Sequence, residues 1–389
     1  MIRNIFIFML SLFFITSCSN IDKKQEEITV RFYGWAGDTM VNSWLDNYVK
    51  DTLKEEFNIN FERVGMDITD IISILSNEKA TNKQKGDIDI VWINGANFAT
   101  AKEYGILQEI DVDNISNYSK NIDSSAPYLY TDFGESIDNY EVPFGIAQFT
   151  FIANTKNIDT FTSSEELLLV AKNNPGKVTY PAATDFTGSA FIRNICYDIV
   201  GYEEIENASS NKEELRTLLK PAFDYLNELK PYLWQNGETY PKEEAILQKM
   251  YQDGQLNLTM SYTALLAQRN VEEGIFPNTS KSFVFESGNI GNSHYLAIPF
   301  NSPNTEAAHT VINFLLSVEV QASKFDLSNW GDLPVLTYSK LTDEDKIIFD
   351  KNNVSQENLE AITKNSLPEV SGEKTVIINE LWEEEVLKK

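Results

Sequence analysis

Thirteen consecutive residues at positions 142–154, Val-Pro-Phe-Gly-Ile-Ala-Gln-Phe-Thr-Phe-Ile-Ala-Asn, carry no charge in a chain where 23% of residues are charged. The run is rich in strand formers, and its one proline lies near the start, where a strand tolerates it, so it predicts a buried strand. It falls near the middle of 389 residues, a length that favours two cores over one. A buried strand in that position leads out of one domain and into another. Residues 294–301, His-Tyr-Leu-Ala-Ile-Pro-Phe-Asn, have the same character and bring the chain back. Two such crossings make a hinge, and a hinge between two lobes makes a cleft that can close on a small ligand.

The flanking pattern fits this frame. Residues 28–33 alternate as a strand, Gly34 to Gly37 form a turn, and Asp38 or Thr39 is a natural helix N-cap. Val41, Trp44, Leu45, Tyr48, Val49, Leu53 and Phe57 then recur at helical spacing. Strands at 59–64 and 87–93 alternate with helices, an order that predicts a mainly parallel sheet with right-handed crossovers. The pattern restarts after the first crossing, with a short strand expected at 177–180 and another at 256–262. The resulting expectation is an α/β, two-lobed architecture. Residues 28–145 and 297–338 form lobe 1, residues 146–296 form lobe 2, and C-terminal helices at 339–389 pack on the lobes.

The N-terminus reads as a targeting segment. Arg3 precedes an apolar run at 5–15 that is short for a membrane span, and small residues lead directly into Cys18. This resembles a bacterial lipobox, with Ile in place of the usual leading Leu. Residues 1–17 are then a lipoprotein signal peptide, Cys18 carries the lipid, and 18–27 is a tether. The mature protein would be exported and held on the membrane by its anchor. Removing Cys18 leaves Cys196 alone, which excludes an intrachain disulfide, and with two histidines in the chain a His/Cys metal site is not expected. A net charge of -26 argues against nucleic acid as a partner.

Ligands of open α/β sheets bind beyond the carboxyl ends of the strands. Five loops in such positions contain Trp35, Asp38, Thr39, Asn94, Asn97, Phe98, Asp185, Phe186, Thr187, Tyr262, Trp330 and Asp332, with no Lys or Arg among them. Tyr180 ends a strand beside them, Gln148 lies in the first crossing, and Asn292 stands just before the second; with Asn94 and Asn97 these amides would orient a ligand by hydrogen bonds. Aromatic faces with carboxylates suit a cationic or zwitterionic ligand, a ring contact being worth ~0.5–2 kcal/mol. Asp38 and Asp185 serve equally well as helix caps, and the helix starts behind Gly37 and Gly188 leave an oxyanion as the rival ligand. No nucleophile elbow, dinucleotide fingerprint, phosphate loop or zinc-protease motif is present. A carboxylate-pair hydrolase stays as an alternative in so acidic a chain.

Several segments carry a resemblance. Gly-Trp-Ala-Gly-Asp (34–38), Asp-Ile-Val-Trp-Ile-Asn-Gly-Ala-Asn-Phe (89–98), Gln-Phe-Thr-Phe-Ile-Ala (148–153), Asn-Pro-Gly-Lys-Val-Thr-Tyr-Pro (174–181), Asp-Phe-Thr-Gly-Ser-Ala-Phe (185–191), Pro-Tyr-Leu-Trp (231–234), Ile-Gly-Asn-Ser-His (290–294) and Trp-Gly-Asp (330–332) occur in order. Together they resemble the extracellular solute-binding proteins of ABC transporters, in particular the YnjB-like family, akin to thiamine-, polyamine- and iron-binding proteins. The resemblance implies a periplasmic-binding-protein-like fold of type II, two hinge strands, a monomeric receptor without cofactor or catalysis, and delivery to a permease with a separate ATPase. The resemblance leaves the ligand open; with the loop residues read above, the expected ligand is cationic or zwitterionic, thiamine- or polyamine-like, with an oxyanion or ferric iron as alternatives.

Overall fold

The computed structural model describes residues 27–352 and 365–388, with residues 354, 359, 362 and 363 between them. The expected signal peptide and lipidated Cys18 lie outside the described residues. Strand β1 (Ile28–Gly34) pairs in parallel with β2 (Ile59–Gly65) and with β3 (Ile90–Ile93). Alternation then splits its side chains between two faces. Val30 and Phe32 join a core with Trp44, Leu53 and Phe61, while Tyr33 packs on the opposite side with Ile71, Leu75 and Phe98. Short β4 (Leu107–Gln108) and the hairpin β5 (Thr131–Asp132) and β6 (Glu135–Ser136) lead into β7 (Glu141–Gln148), the first connector.

Beyond Phe149 the chain enters lobe 2 as β8 (Thr150–Asn154), flanked by β9 (Leu258–Ser261) and β10 (Ser280–Phe283). Both pairings are antiparallel, and the larger sheet of lobe 1 is mixed, so the mainly parallel reading holds for β1–β3 and is corrected elsewhere. Strand direction is set by which segments meet, which periodicity does not encode. The strand expected at 177–180 is instead irregular backbone, with single bonds from Trp234 N–H to the Val178 carbonyl and from Asn257 N–H to the Lys177 carbonyl. Lobe 2 has its own core of Phe151, Phe191, Leu226 and Met260, with Cys196 fully buried in it.

The return connector β11 (Asn289–Pro299) runs antiparallel to β7 and to β3, placing Ile290 in the lobe 2 core and Leu296 in that of lobe 1. A third, unexpected crossing follows. Phe349, Val354 and Ile362 pack in lobe 1, β12 (Ser366–Leu367) pairs in parallel with Asn289–Ile290, and Val370, Ile378 and Trp382 pack in lobe 2. Two residues of strand are too few for a periodicity signal.

The lobe 1 roots of both connectors meet at a buried ion cluster. Lys324, on the helix Val318–Phe325, has no exposed side-chain surface. Its Nζ donates to the Phe144 carbonyl at 2.6 Å, to Asp332 Oδ2 at 2.7 Å and to the Leu333 carbonyl at 3.1 Å. His294 Nε2 lies 3.1 Å from the other Asp332 oxygen. Burial pulls the Lys324 ammonium below the ordinary lysine range. Burial would likewise raise the Asp332 carboxyl, but Lys324 and His294 beside it hold it below the usual carboxylate range. No side chain fits at Gly145, because a Cβ there would lie 2.2 Å from Asp332 Oδ2 and 2.7 Å from Lys324 Nζ. Removing one partner of such a pair leaves an uncompensated buried charge. Lys324→Met is expected to lower urea stability by ~3–5 kcal/mol, and a loss below ~1 kcal/mol, the scale of an exposed pair, would contradict this role.

Glu141, opening the first connector, is 1% exposed, and among the described residues neither carboxylate oxygen has a hydrogen-bond partner. Burial, with Asp132 nearby, raises its carboxyl well above the ordinary range. In the unfolded chain it ionises at about pH 4.3. The folded state therefore loses relative stability as pH rises from there toward the raised folded value. Urea midpoints measured from pH 5 to pH 8 should fall less steeply for Glu141→Gln than for the natural protein. Parallel slopes would show that Glu141 does not titrate differently on folding.

Candidate ligand site

Between the lobes lies a cavity of about 720 Å³, within the range that encloses a small molecule. Lobe 1 supplies the β5–β6 turn (Asp132, Phe133, Gly134) and an apolar wall that includes Phe325, Leu333 and Leu336. Connectors β7 and β11 supply Ile146, Gln148, Asn292 and Ser293; lobe 2 supplies Tyr202 and Glu206 from the helix Tyr202–Asn207. The third crossing closes the remaining side with Ser366, Leu367, Pro368 and Glu369. Gly291 is required where these walls meet, since a Cβ would lie 2.0 Å from Ser366 Oγ and 2.8 Å from Gln148 Oε1.

Three carboxyl groups line this space, and Lys, Arg and His are absent from the lining among the described residues. Each carboxyl has a different environment. Glu369 is buried against Arg193, whose Nε and Nη2 donate at 3.0 and 3.2 Å, while the Tyr262 hydroxyl donates at 2.7 Å and the Asn292 amide at 3.4 Å. Glu206 is 3.5 Å from the Lys374 ammonium. Asp132, 2% exposed, accepts the Gly95 N–H at the start of the helix Gly95–Glu103. Burial pushes its carboxyl up to about 8, the Gly95 bond opposing and Glu369 adding to the rise. Among the described residues no group of three or more His, Cys, Asp and Glu could hold a metal ion.

The expected site residues divide. Gln148 and Asn292 line the cavity; the Gln148 amide is anchored to the Asn289 and Ile290 carbonyls at 3.1 and 3.2 Å. Tyr262 holds Glu369, and Phe186 lies 4.8 Å from its ring. Asn94 occupies the N-cap position of the helix Gly95–Glu103, with Asn97 half-buried in its first turn. Phe98 and Tyr180 are core residues, Tyr180 stacked 4.2 Å from Phe191 and accepting from Trp382 Nε1 at 3.1 Å. Thr187 is buried and donates to Glu244. Trp35 is 55% exposed, edge-on to Trp92, and Thr39 is exposed at the first helical position; neither lines the cavity.

The three aspartates read as ligand charges all have partners within the protein. Asp38 caps its helix through Met40 N–H and pairs with Arg269 at 3.0 Å. Asp332 belongs to the Lys324 cluster, with Trp330 buried beside it, 5.6 Å from the His294 ring. Asp185 caps the helix Phe186–Val200 through Gly188 N–H at 3.0 Å and also accepts Glu244 N–H at 3.2 Å. The loops hold no base, as read, but helices supply the bases, and Arg269 is 231 positions from Asp38. The sequence reading missed Asp132, Glu206 and Glu369. Glu369 lay in a tail read as helical.

The comparisons with known proteins agree with this architecture. A family model described as bacterial extracellular solute-binding protein matches residues 48–352. Protein YnjB of Escherichia coli (strain K12) is 35% identical over 318 residues, covering 81% of each chain. Among solved structures, the spermidine/putrescine ABC transporter substrate-binding protein PotD of Streptococcus pneumoniae has a TM-score of 0.64 at 13% identity, covering 92% of this chain and 98% of that one. A Trichodesmium protein (IdiA, FutA) in complex with iron and citrate has a TM-score of 0.60 at 13% identity, over 92% and 99%. The two-lobed type II fold is thus shared by proteins whose ligands differ in kind. On these grounds the chain belongs to the bacterial extracellular solute-binding proteins, exported components of ABC transporters.

Proposed function

We propose that this protein captures a small organic cation, or a zwitterion presenting its positive end, in the cavity between the lobes and delivers it to an ABC importer. The carrying observation is the lining: three carboxyl groups, several aromatic rings and no base among the described residues. A positive charge gains there from ring faces and carboxyl oxygens together, while an oxyanion or a sugar phosphate would find no base at the lining. Gln148 and Asn292 would orient the ligand, with Tyr262 and Phe186 backing the wall around Glu369.

Capture by lobe closure is supported by a contact outside the cavity. Arg269, on the helix Leu266–Glu272 of lobe 2, donates to Asp38 at 3.0 Å and to the Trp330 carbonyl at 3.0 Å, both in lobe 1. These bonds require the lobes to be together, so they belong to the closed form that a permease would read. The protein would act as a monomer tethered through a lipid on Cys18, facing the periplasm or the cell exterior, without cofactor and without catalysis.

Thermal unfolding with a metabolite panel tests the ligand class. Organic amines and quaternary ammonium compounds should raise the midpoint, a ligand at a hundredfold excess over Kd adding about 2.7 kcal/mol. Phosphate, sugar phosphates and ferric citrate should not. Stabilisation by the anions or by ferric citrate alone would overturn the proposal.

A further inference from the structure

The cavity's three carboxyl groups differ in how far the protein itself satisfies them. Glu369 receives four donors, two from Arg193 and one each from Tyr262 and Asn292. Three of them reach Oε1 and one reaches Oε2, so both oxygens are engaged and the Arg193 charge offsets theirs. Glu206 has Lys374 beside it. Asp132 alone lacks a basic partner: one of its oxygens takes the Gly95 N–H, and the other has no hydrogen-bond partner among the described residues. The hydroxyl of Ser293, 1% exposed and beside Tyr295, lines the same space. The remaining walls are rings and aliphatic side chains, among them Phe133, Tyr295, Phe325, Leu336 and Phe349.

Resting on the organic-cation reading above, we propose that the cavity is built for a ligand with one positive charge on an apolar body, and that this charge docks on Asp132 in exchange for a proton. One uncompensated carboxyl balances one charge. A second ammonium would have to be desolvated against apolar walls with no free counter-ion, which is costly. As the cation arrives the Asp132 O–H bond breaks, its electron pair stays on the carboxylate, and the proton leaves to solvent. The titratable groups facing Asp132 are Glu141 from β7, Tyr295 from β11 and Glu369 from the third crossing; Lys102, on the helix Gly95–Glu103, faces Glu141. Burial, with Glu369 adding to it and the Gly95 bond opposing, raises the Asp132 carboxyl to about 8 and so favours its protonated form at neutral pH in the unliganded cavity. A bound cation favours the ionised form, so affinity rises with pH up to the free-state value and levels above it.

Isothermal titration with benzyltrimethylammonium, whose charge does not titrate, tests this. Its Kd should tighten by about tenfold per unit from about pH 6 to about pH 8 and then level. Titrations in buffers of different ionisation heat should show close to one proton released per ligand near pH 7, falling toward zero above about pH 9. Asp132→Asn keeps an oxygen acceptor for Gly95 N–H; it should weaken binding and abolish both the pH slope and the proton release. If that variant does not fold, the proton count on the natural protein decides. Tight binding without proton release, tighter binding of 1,4-diaminobutane, or no binding of benzyltrimethylammonium at any pH would overturn the inference while a cation still binds. Binding of inorganic phosphate and of no cation would instead overturn the organic-cation reading itself.

Discussion

The ammonium of Lys324 holds three separate pieces of lobe 1 in one place: its own helix, the first connector through the Phe144 carbonyl, and the loop carrying Asp332 and Leu333. Through Asp332 it also reaches His294 on the return connector. Both connectors therefore leave lobe 1 from a fixed root. The Trp92, Phe144 and Trp330 rings surround that root, each within 6.0 Å of the His294 ring. Such a cluster is weak evidence for stability, since apolar packing could replace it. Its consequence is geometric. It fixes where the connectors begin, and so where Gln148, Asn292 and Ser293 stand along the cavity.

Opposite charges in this molecule are sorted by location. Outside the cavity, Arg269 neutralises Asp38 across the lobes and Lys324 neutralises Asp332 under the connectors. Inside it, Arg193 neutralises Glu369 from behind, leaving only the carboxylate at the lining. A chain with a net charge of -26 could have attracted cations anywhere on its surface. What distinguishes the cavity is a carboxyl group that is buried, not paired with a base and set among rings, where low dielectric strengthens any charge that arrives. The apolar neighbours also raise the cost of a charge that goes unmatched.

Much of the frame was legible in the sequence. The uncharged run at 142–154 does carry the chain from the Phe144 core to the Phe151 core, broken only at Phe149 between two strands. Asp38 and Asp185 do cap helices, because an N-cap is a local event that a few residues determine. What was not legible depended on distant partners. Nothing near Asp38 announces Arg269, and nothing near Glu369 announces Arg193, 176 positions away. For the same reason loops without bases looked like an acidic cleft, although the fold supplies their counter-ions. The β12 crossing escaped because its pairing with β11 is tertiary, and Phe98 and Tyr180 because an aromatic residue after a strand fills a core as readily as it faces a ligand.

The most direct measurement is a crystal structure of the protein with whatever solute it retains on purification. The account predicts electron density within the cavity between the lobes, with a positively charged group beside the Asp132 carboxyl and an apolar portion against Phe325 and Leu336. A solute seated instead on the exposed Trp35 and Trp92 surface, or an anionic group in contact with Asp132, would contradict it.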